Sequence, residues 1–245
     1  MQRSKTIESE IVLCYTVKEV RTMKDFPVFT TEYGVASLIL REIPYRQEAY
    51  VIIQSSEMPE ELLAECCSFC RMCGAEIIYA RGHDCLNPYP IQSSILSMQG
   101  ELIPEESKTG ALWPVTCENV GKWRQMMNER ISGIDHAATL DRTREKEILD
   151  SAGAYFIHQD GELVGAGWLM ADELMAVAAF RKGMGELVVR TLLSTVPDRT
   201  IRLQVASTNI PAIRLYERLG FVRIGVEEMW HRVYPYDPIQ FTQKI

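Results

Sequence analysis

The chain reads as an α/β protein: a mixed central sheet flanked by helices, preceded by a smaller α/β domain. Three observations predict this. Apolar strand-like runs alternate with helix-period stretches through the second half of the chain. A polar, turn-rich run at residues 104–110 (Pro-Glu-Glu-Ser-Lys-Thr-Gly) separates that half from the first. The first half carries a β-β-α-β order that echoes the middle of the second, without a residue-level repeat. The division drawn from these is residues 1–108 and 109–245.

In the first half, residues 33–43 and 49–54 read as strands around a turn at 44–47. Pro59 opens a helical pattern through Leu62, Leu63, Cys66, Cys70 and Cys73, which Gly74 stops. Residues 75–80 form a short apolar strand, 82–90 a loop with two prolines, and 91–102 a further strand-like stretch.

The second half restarts with a strand at 111–115 and helices at about 118–129 and 141–149. Strands at 155–158 and 163–170 flank an Asp160-Gly161 hairpin signal. A strand at 174–179 runs into a glycine-containing turn, residues 180–185 (Phe-Arg-Lys-Gly-Met-Gly). A helix follows with Met184, Val188, Leu192 and Val196 on one face. Residues 201–205 are strand-like, and 209–219 are helical, with Pro211 near the start and Gly220 just past the end. Two short strands, 221–225 and 227–233, close the pattern.

Composition narrows the function. The formal net charge is −7 with no long basic run, which argues against nucleic acid as the main partner. No segment has the roughly 18 apolar residues of a membrane span, and residues 1–10 are polar, so a cytoplasmic protein is expected. Seven cysteines, four of them within residues 66–73, do not suit a secreted disulfide scaffold and are read as reduced thiols. The spacing Cys66-x3-Cys70-x2-Cys73 matches a radical-SAM iron–sulfur loop. It falls inside a helical pattern, however, where cluster ligation needs an irregular loop, so no metal is expected.

The strand-to-helix turn at 180–185 can hold an anion. Backbone N–H groups at a helix start lack partners, Gly183 and Gly185 allow close approach, and Arg181 and Lys182 add charge. Residues 209–221 then read Asn-Ile-Pro-Ala-Ile-Arg-Leu-Tyr-Glu-Arg-Leu-Gly-Phe. This resembles the GNAT acetyltransferase signature at Asn209, Ala212, Leu215, Tyr216, Glu217, Leu219, Gly220 and Phe221, with the glycine turn at the spacing of that family's phosphate-binding turn. The likeness covers about residues 111–235.

The resemblance implies an N-acetyltransferase using acetyl-CoA as co-substrate, with a primary amine of a small molecule or peptide attacking the thioester directly. It implies that the cofactor arm pairs with the main chain of Met175, Ala176 and Val177, where two parallel strands splay apart. The pyrophosphate would rest on Phe180, Arg181, Lys182, Gly183, Met184 and Gly185, Asn209 would contact the cofactor, and Tyr216 would protonate the leaving thiolate. Phe180 stands where the family has Arg or Gln, which removes a side-chain donor. Glu173 is the candidate for relaying the amine's proton, against the plainer reading of a solvated strand-end carboxylate. His136, His158 and His231 read as structural or exposed. In the first half the corresponding connection, residues 55–60, has no glycine and two carboxylates, so that half resembles a GNAT-like domain without a cofactor site. The rival reading is a regulatory module that holds CoA without turnover.

Overall fold

The computed structural model describes residues 27–101, 110–196 and 200–235. Residues 102–109, which hold most of the polar run that marks the division in sequence, lie outside them, as do residues 1–10 and Cys14. The described chain forms two compact units. Their composition is not the linear division at 108/109. One unit comprises residues 95–227, and the other comprises residues up to 94 together with those from 228 onward.

The unit containing residues 95–227 is a six-stranded mixed sheet in the order β5-β10-β9-β8-β7-β6, with helices on both faces. Strand β5 (Ile91–Glu101) belongs to this unit from Ile95 onward and pairs antiparallel with β10 (Thr200–Ala206). The remaining strands are β6 (Ala111–Pro114), β7 (Ala154–Gln159), β8 (Glu162–Met170) and β9 (Glu173–Ala179). The β7–β8 hairpin turns at Asp160 and Gly161, whose φ values of 52° and 82° are those of the tight turn that Asp-Gly favours.

Helices α3 (Val120–Ile131) and α4 (Arg144–Ser151) cover one face, burying Trp123, Met127, Ile131 and Ile148 against Ala166, Trp168, Ala176 and Ala178. Helices α5 (Gly185–Leu193) and α6 (Ile210–Arg218) cover the other, where Val188, Leu192, Ile213 and Tyr216 meet Leu174, Val177, Leu203 and Val205. Helix α5 lies close on β8 because Gly165 and Gly167 have no side chains. A Cβ there would fall 2.5 Å from Val188 and 2.4 Å from Leu192. Helix α6 starts with Asn209 as its cap, Oδ1 accepting from Ala212 N at 3.3 Å. It ends in a Schellman closure, with Phe221 N donating to Tyr216 O and Gly220 N to Glu217 O.

The other unit pairs β1 (Val28–Thr31), β2 (Gly34–Ile39), β3 (Glu48–Ser56) and β4 (Ile77–Arg81) in sequence order. A one-turn helix α1 (Ile43–Arg46) stands where a simple turn is expected from sequence. Helix α2 (Pro59–Met72) buries Leu62, Leu63, Cys66 and Cys70 against Leu38, Val51, Ile53 and Ile78. The last strand, β11 (Val222–Tyr234), is one continuous strand where two short ones are expected, because Gly225 keeps an extended backbone and does not break it. Its residues from 228 onward complete this unit, His231 to Tyr234 pairing antiparallel with β4. Each half of the sequence therefore supplies the strand that finishes the sheet of the other.

Candidate active site where two parallel strands part

Strands β9 and β10 run parallel but stay paired only at their starts, through Arg202↔Glu173 and Leu203↔Leu174. Beyond Leu174 the β10-facing edge of β9 has no ladder partner among the described residues. At that point β9 also carries a bulge. Trp168 of β8 faces Ala176 and Leu169 faces Leu174, so Met175 is an extra residue without a β8 partner. Met175, Ala176 and Val177 thus sit where the two strands open from one another, all of them buried.

Strand β9 then empties into residues 180–184 and the start of α5. No side chain caps this helix, so its first N–H groups are left for an outside acceptor. Gly183 has φ +81° and nothing within 4 Å of the place a Cβ would take. A cleft of about 390 Å³ borders the turn, lined by Gly183, Gly185, Ile210, Pro211, Arg214 and Arg218 among others. Arg214 and Arg218 lie one turn apart on the exposed side of α6, so they bring two cations to the same cleft. The sequence reading passes over both, although the i,i+4 spacing of arginines on the helix after the turn is a signal that finds them.

The other expected residues divide. Phe180 is turned into the α3 side: its N–H donates to Val164 O at 2.8 Å and its carbonyl accepts from Arg130 at 3.2 Å. The Arg130 guanidinium also lies 5.6 Å from its ring centroid. Both main-chain groups of Phe180 are therefore committed within the protein, and the anion-facing N–H groups begin after it. Arg181 forms an exposed ion pair with Glu162, and Lys182 is exposed. Glu173 is buried at 9% exposure, unlike the solvated carboxylate expected, because its strand is covered on both faces. Tyr216 is fully buried in the cluster that holds Val177, Leu203 and Val205, with its ring 5.7 Å from that of Phe221. Asn209 is likewise buried and caps α6.

Cys66 and Cys70 behave as apolar core. Burial pushes the Cys66 and Cys70 thiols up to about 12, which holds them protonated and poor as ligands. No group of metal-holding side chains forms among the described residues. Among the same residues no helix is long and apolar enough to cross a membrane. His136 and His231 are buried, the latter with Nδ1 3.0 Å from Tyr89 O, and His158 stacks on Trp113.

In the other unit, β3, α2 and β4 repeat the strand–helix–strand order of β9, α5 and β10, with a different outcome. Parallel strands β3 and β4 stay paired through five residue pairs, from Glu48↔Ile77 to Ile52↔Arg81, so no wedge opens between them.

A parting pair of parallel strands, with an uncapped helix start and two arginines at one side, makes up the candidate site. A family described as FR47-like protein matches residues 174–231, the run from β9 into β11. A mycothiol acetyltransferase from Thermomonospora curvata is 31% identical over 115 residues, 41% of this chain and 39% of that protein. The chain thus spans about two fifths of the length of that relative. A GCN5-related N-acetyltransferase from Kribbella flavida superposes with TM-score 0.52 at 17% identity, over 89% of this chain and 93% of that one. A conserved protein of unknown function from Staphylococcus epidermidis gives TM-score 0.53 at 10% identity, over 89% and 96%. The FR47-like match covers the run that builds the candidate site, and the fold is that of the GCN5-related N-acetyltransferase structure.

Proposed function

We propose that this protein is an N-acetyltransferase that moves an acetyl group from acetyl-CoA to a primary amine in the cytoplasm. The observation that carries the reading is the confinement of β9–β10 pairing to two residue pairs, directly followed by the Met175 bulge. An extended pantetheine arm can take the place of the missing strand, main chain to main chain, along Met175 to Val177. The turn from Arg181 to Gly185, with Arg214 and Arg218 across the cleft, suits the phosphates. Its open space at Gly183 fits a group that must approach the backbone closely.

Acetyl-CoA supplies the acyl group already activated as a thioester. The acceptor's free amine attacks the carbonyl directly, so no residue of the chain need act as a nucleophile. In this reading Tyr216 donates its phenolic proton to the departing thiolate, a role suited to a group that is protonated at neutral pH. Its burial beside β9 and β10 supports that placement. Glu173, buried at the head of β9, relays the amine's proton toward solvent. The half that contains β3, α2 and β4 acts as a GNAT-like partner without a cofactor site, a reading supported by its continuous parallel pairing.

The test is thiol release from acetyl-CoA, followed with a colorimetric thiol reagent across a panel of primary amines. Release that depends on an added amine, with acetylated amine as product, is expected. Saturable CoA binding without release, for any amine in the panel, would establish a CoA-holding module in its place.

A further inference from the structure

Away from the parting strands, an open cleft of about 550 Å³ lies between the start of β6 and the β7–β8 turn. That volume falls within the range of small-molecule sites. Its wall is Trp113, 60% exposed, whereas Trp123, Trp168 and Trp230 are 0%, 0% and 3% exposed. The indole is held in place: its ring sits 4.8 Å from that of His158 at an interplanar angle of 36°. An ordered but exposed tryptophan offers a broad π face at little entropic cost.

The rest of the lining makes the cleft selective. Asp160 stands at the hairpin tip with φ 52° and is among the residues that line the cleft. Gly110 and Gly161 contribute only backbone. At Gly110 a Cβ would fall 2.6 Å from the His158 carbonyl oxygen, so no larger residue fits there while β6 pairs with β7. Apart from its chain neighbours, nothing lies within 4 Å of the place a Cβ on Gly161 would take, so the turn leaves open space there. Among the described residues the lining includes the Asp160 carboxylate, the rings of Trp113 and His158 and the Gln159 amide, but no lysine or arginine. The nearby Arg181 is engaged by Glu162. An anion would be repelled by the Asp160 charge, with no lysine or arginine among the described lining residues to offset it, and a neutral molecule would gain nothing from that charge. A cation satisfies both walls, the ring by its quadrupole and Asp160 by charge.

We propose that this cleft is a binding site for a small organic cation, a substituted ammonium group seated on the Trp113 indole with its charge toward Asp160. The site is separate from the acetyl-transfer chemistry and does not depend on it.

The experiment titrates the whole protein with choline and with its neutral carbon analogue 3,3-dimethylbutan-1-ol. Tryptophan fluorescence reports on the site, because Trp113 is the exposed one of the four tryptophans. Calorimetry gives the affinity independently. Choline should saturate and change the fluorescence of the exposed indole, while the neutral analogue binds at least about tenfold more weakly. Trp113→Ala should abolish the response. Asp160→Asn should weaken choline by about fivefold or more with an unchanged melting curve, since Asn tolerates the left-handed turn position. If Trp113→Ala fails to fold, Trp113→Phe serves in its place, as a weaker cation–π partner that keeps an aromatic on the strand. Equal binding of choline and its analogue would overturn the proposal. So would an absence of saturation at tens of millimolar, or binding that survives loss of the Asp160 charge; Trp113 would then only shield the edge strand.

Discussion

Because each half of the chain finishes the other's sheet, residues 109–245 expressed alone should not fold, although they contain the whole GNAT signature. The truncation removes β5 from the edge of β10, where seven residue pairs run from Thr200↔Glu101 to Ala206↔Ile95. At about 1 kcal/mol net per backbone hydrogen bond, and about one such bond per residue pair, the ladder is worth roughly 7 kcal/mol. Losing the fully buried Met98 side chain costs about 2–5 kcal/mol more. The Phe221 ring, which a Cβ on Gly100 would approach to 2.8 Å, loses its β5 wall. The total is of the order of the whole stability of a domain, about 5–15 kcal/mol. A fragment beginning at residue 91 keeps β5 and is the control. Circular dichroism and urea melts should show the 109–245 fragment aggregated or without a cooperative transition, and the 91–245 fragment substantially more structured. Cooperative unfolding of 109–245 with the midpoint of the whole chain would refute the exchange of strands as a determinant of stability.

Two further predictions follow from individual side chains. Tyr216→Phe keeps the ring in its cluster but removes the transferable proton, so kcat should fall by roughly 10- to 100-fold with little change in the acetyl-CoA KM, measured by thiol release; an unchanged rate with chemistry limiting would make Tyr216 a packing residue. Cys66 and Cys70 are held up at about 12 in the folded protein, so near pH 8 an alkylating reagent should label Cys73 and Cys117 and spare these two until the chain unfolds. Since an unfolded thiol ionises near 8.5 to 9, the stability these two groups contribute is present below that pH and is lost as pH rises towards 12. Cys66→Ala should make the alkaline fall in urea stability shallower, and a slope unchanged from wild type would contradict the burial argument.

Much of the fold is legible in the sequence where local chemistry dictates it. Asp160-Gly161 marks its hairpin because both residues accept positive φ. Asn209, Pro211 and Gly220 bracket α6 by capping, N-terminal tolerance and left-handed closure. Helix α2 is legible from Pro59 and Gly74 and from the apolar spacing between them. What the sequence conceals is pairing at a distance. Nothing in residues 95–101 says that they will join β10 rather than their own half, because a strand's side chains specify which face is buried and not which neighbour it takes. Strand β11 reads as two pieces in sequence because Gly225 resembles a break; in the structure Val222, Ile224 and Val226 on its first part are exposed. At the site, the glycine turn and the signature helix are plain. The Met175 bulge, the burial of Glu173 and the turning of Phe180 towards Arg130 depend on tertiary packing that no local pattern carries.

Calorimetry of CoA binding to the whole chain and to Gly183→Asp tests the proposed single cofactor site at the turn after β9. The substitution suits the purpose. Position 183 has φ +81°, which Asp accepts better than most residues, and open space around its Cβ, so the variant should fold. Its carboxylate would stand where a phosphate must approach the backbone. A stoichiometry near one is expected for the wild-type chain, with affinity weakened by about 100-fold or more in the variant, the effect of a like charge in a site built from N–H groups and arginines. A stoichiometry of two, or a folded variant that binds CoA as tightly as the wild type, would contradict the proposed site.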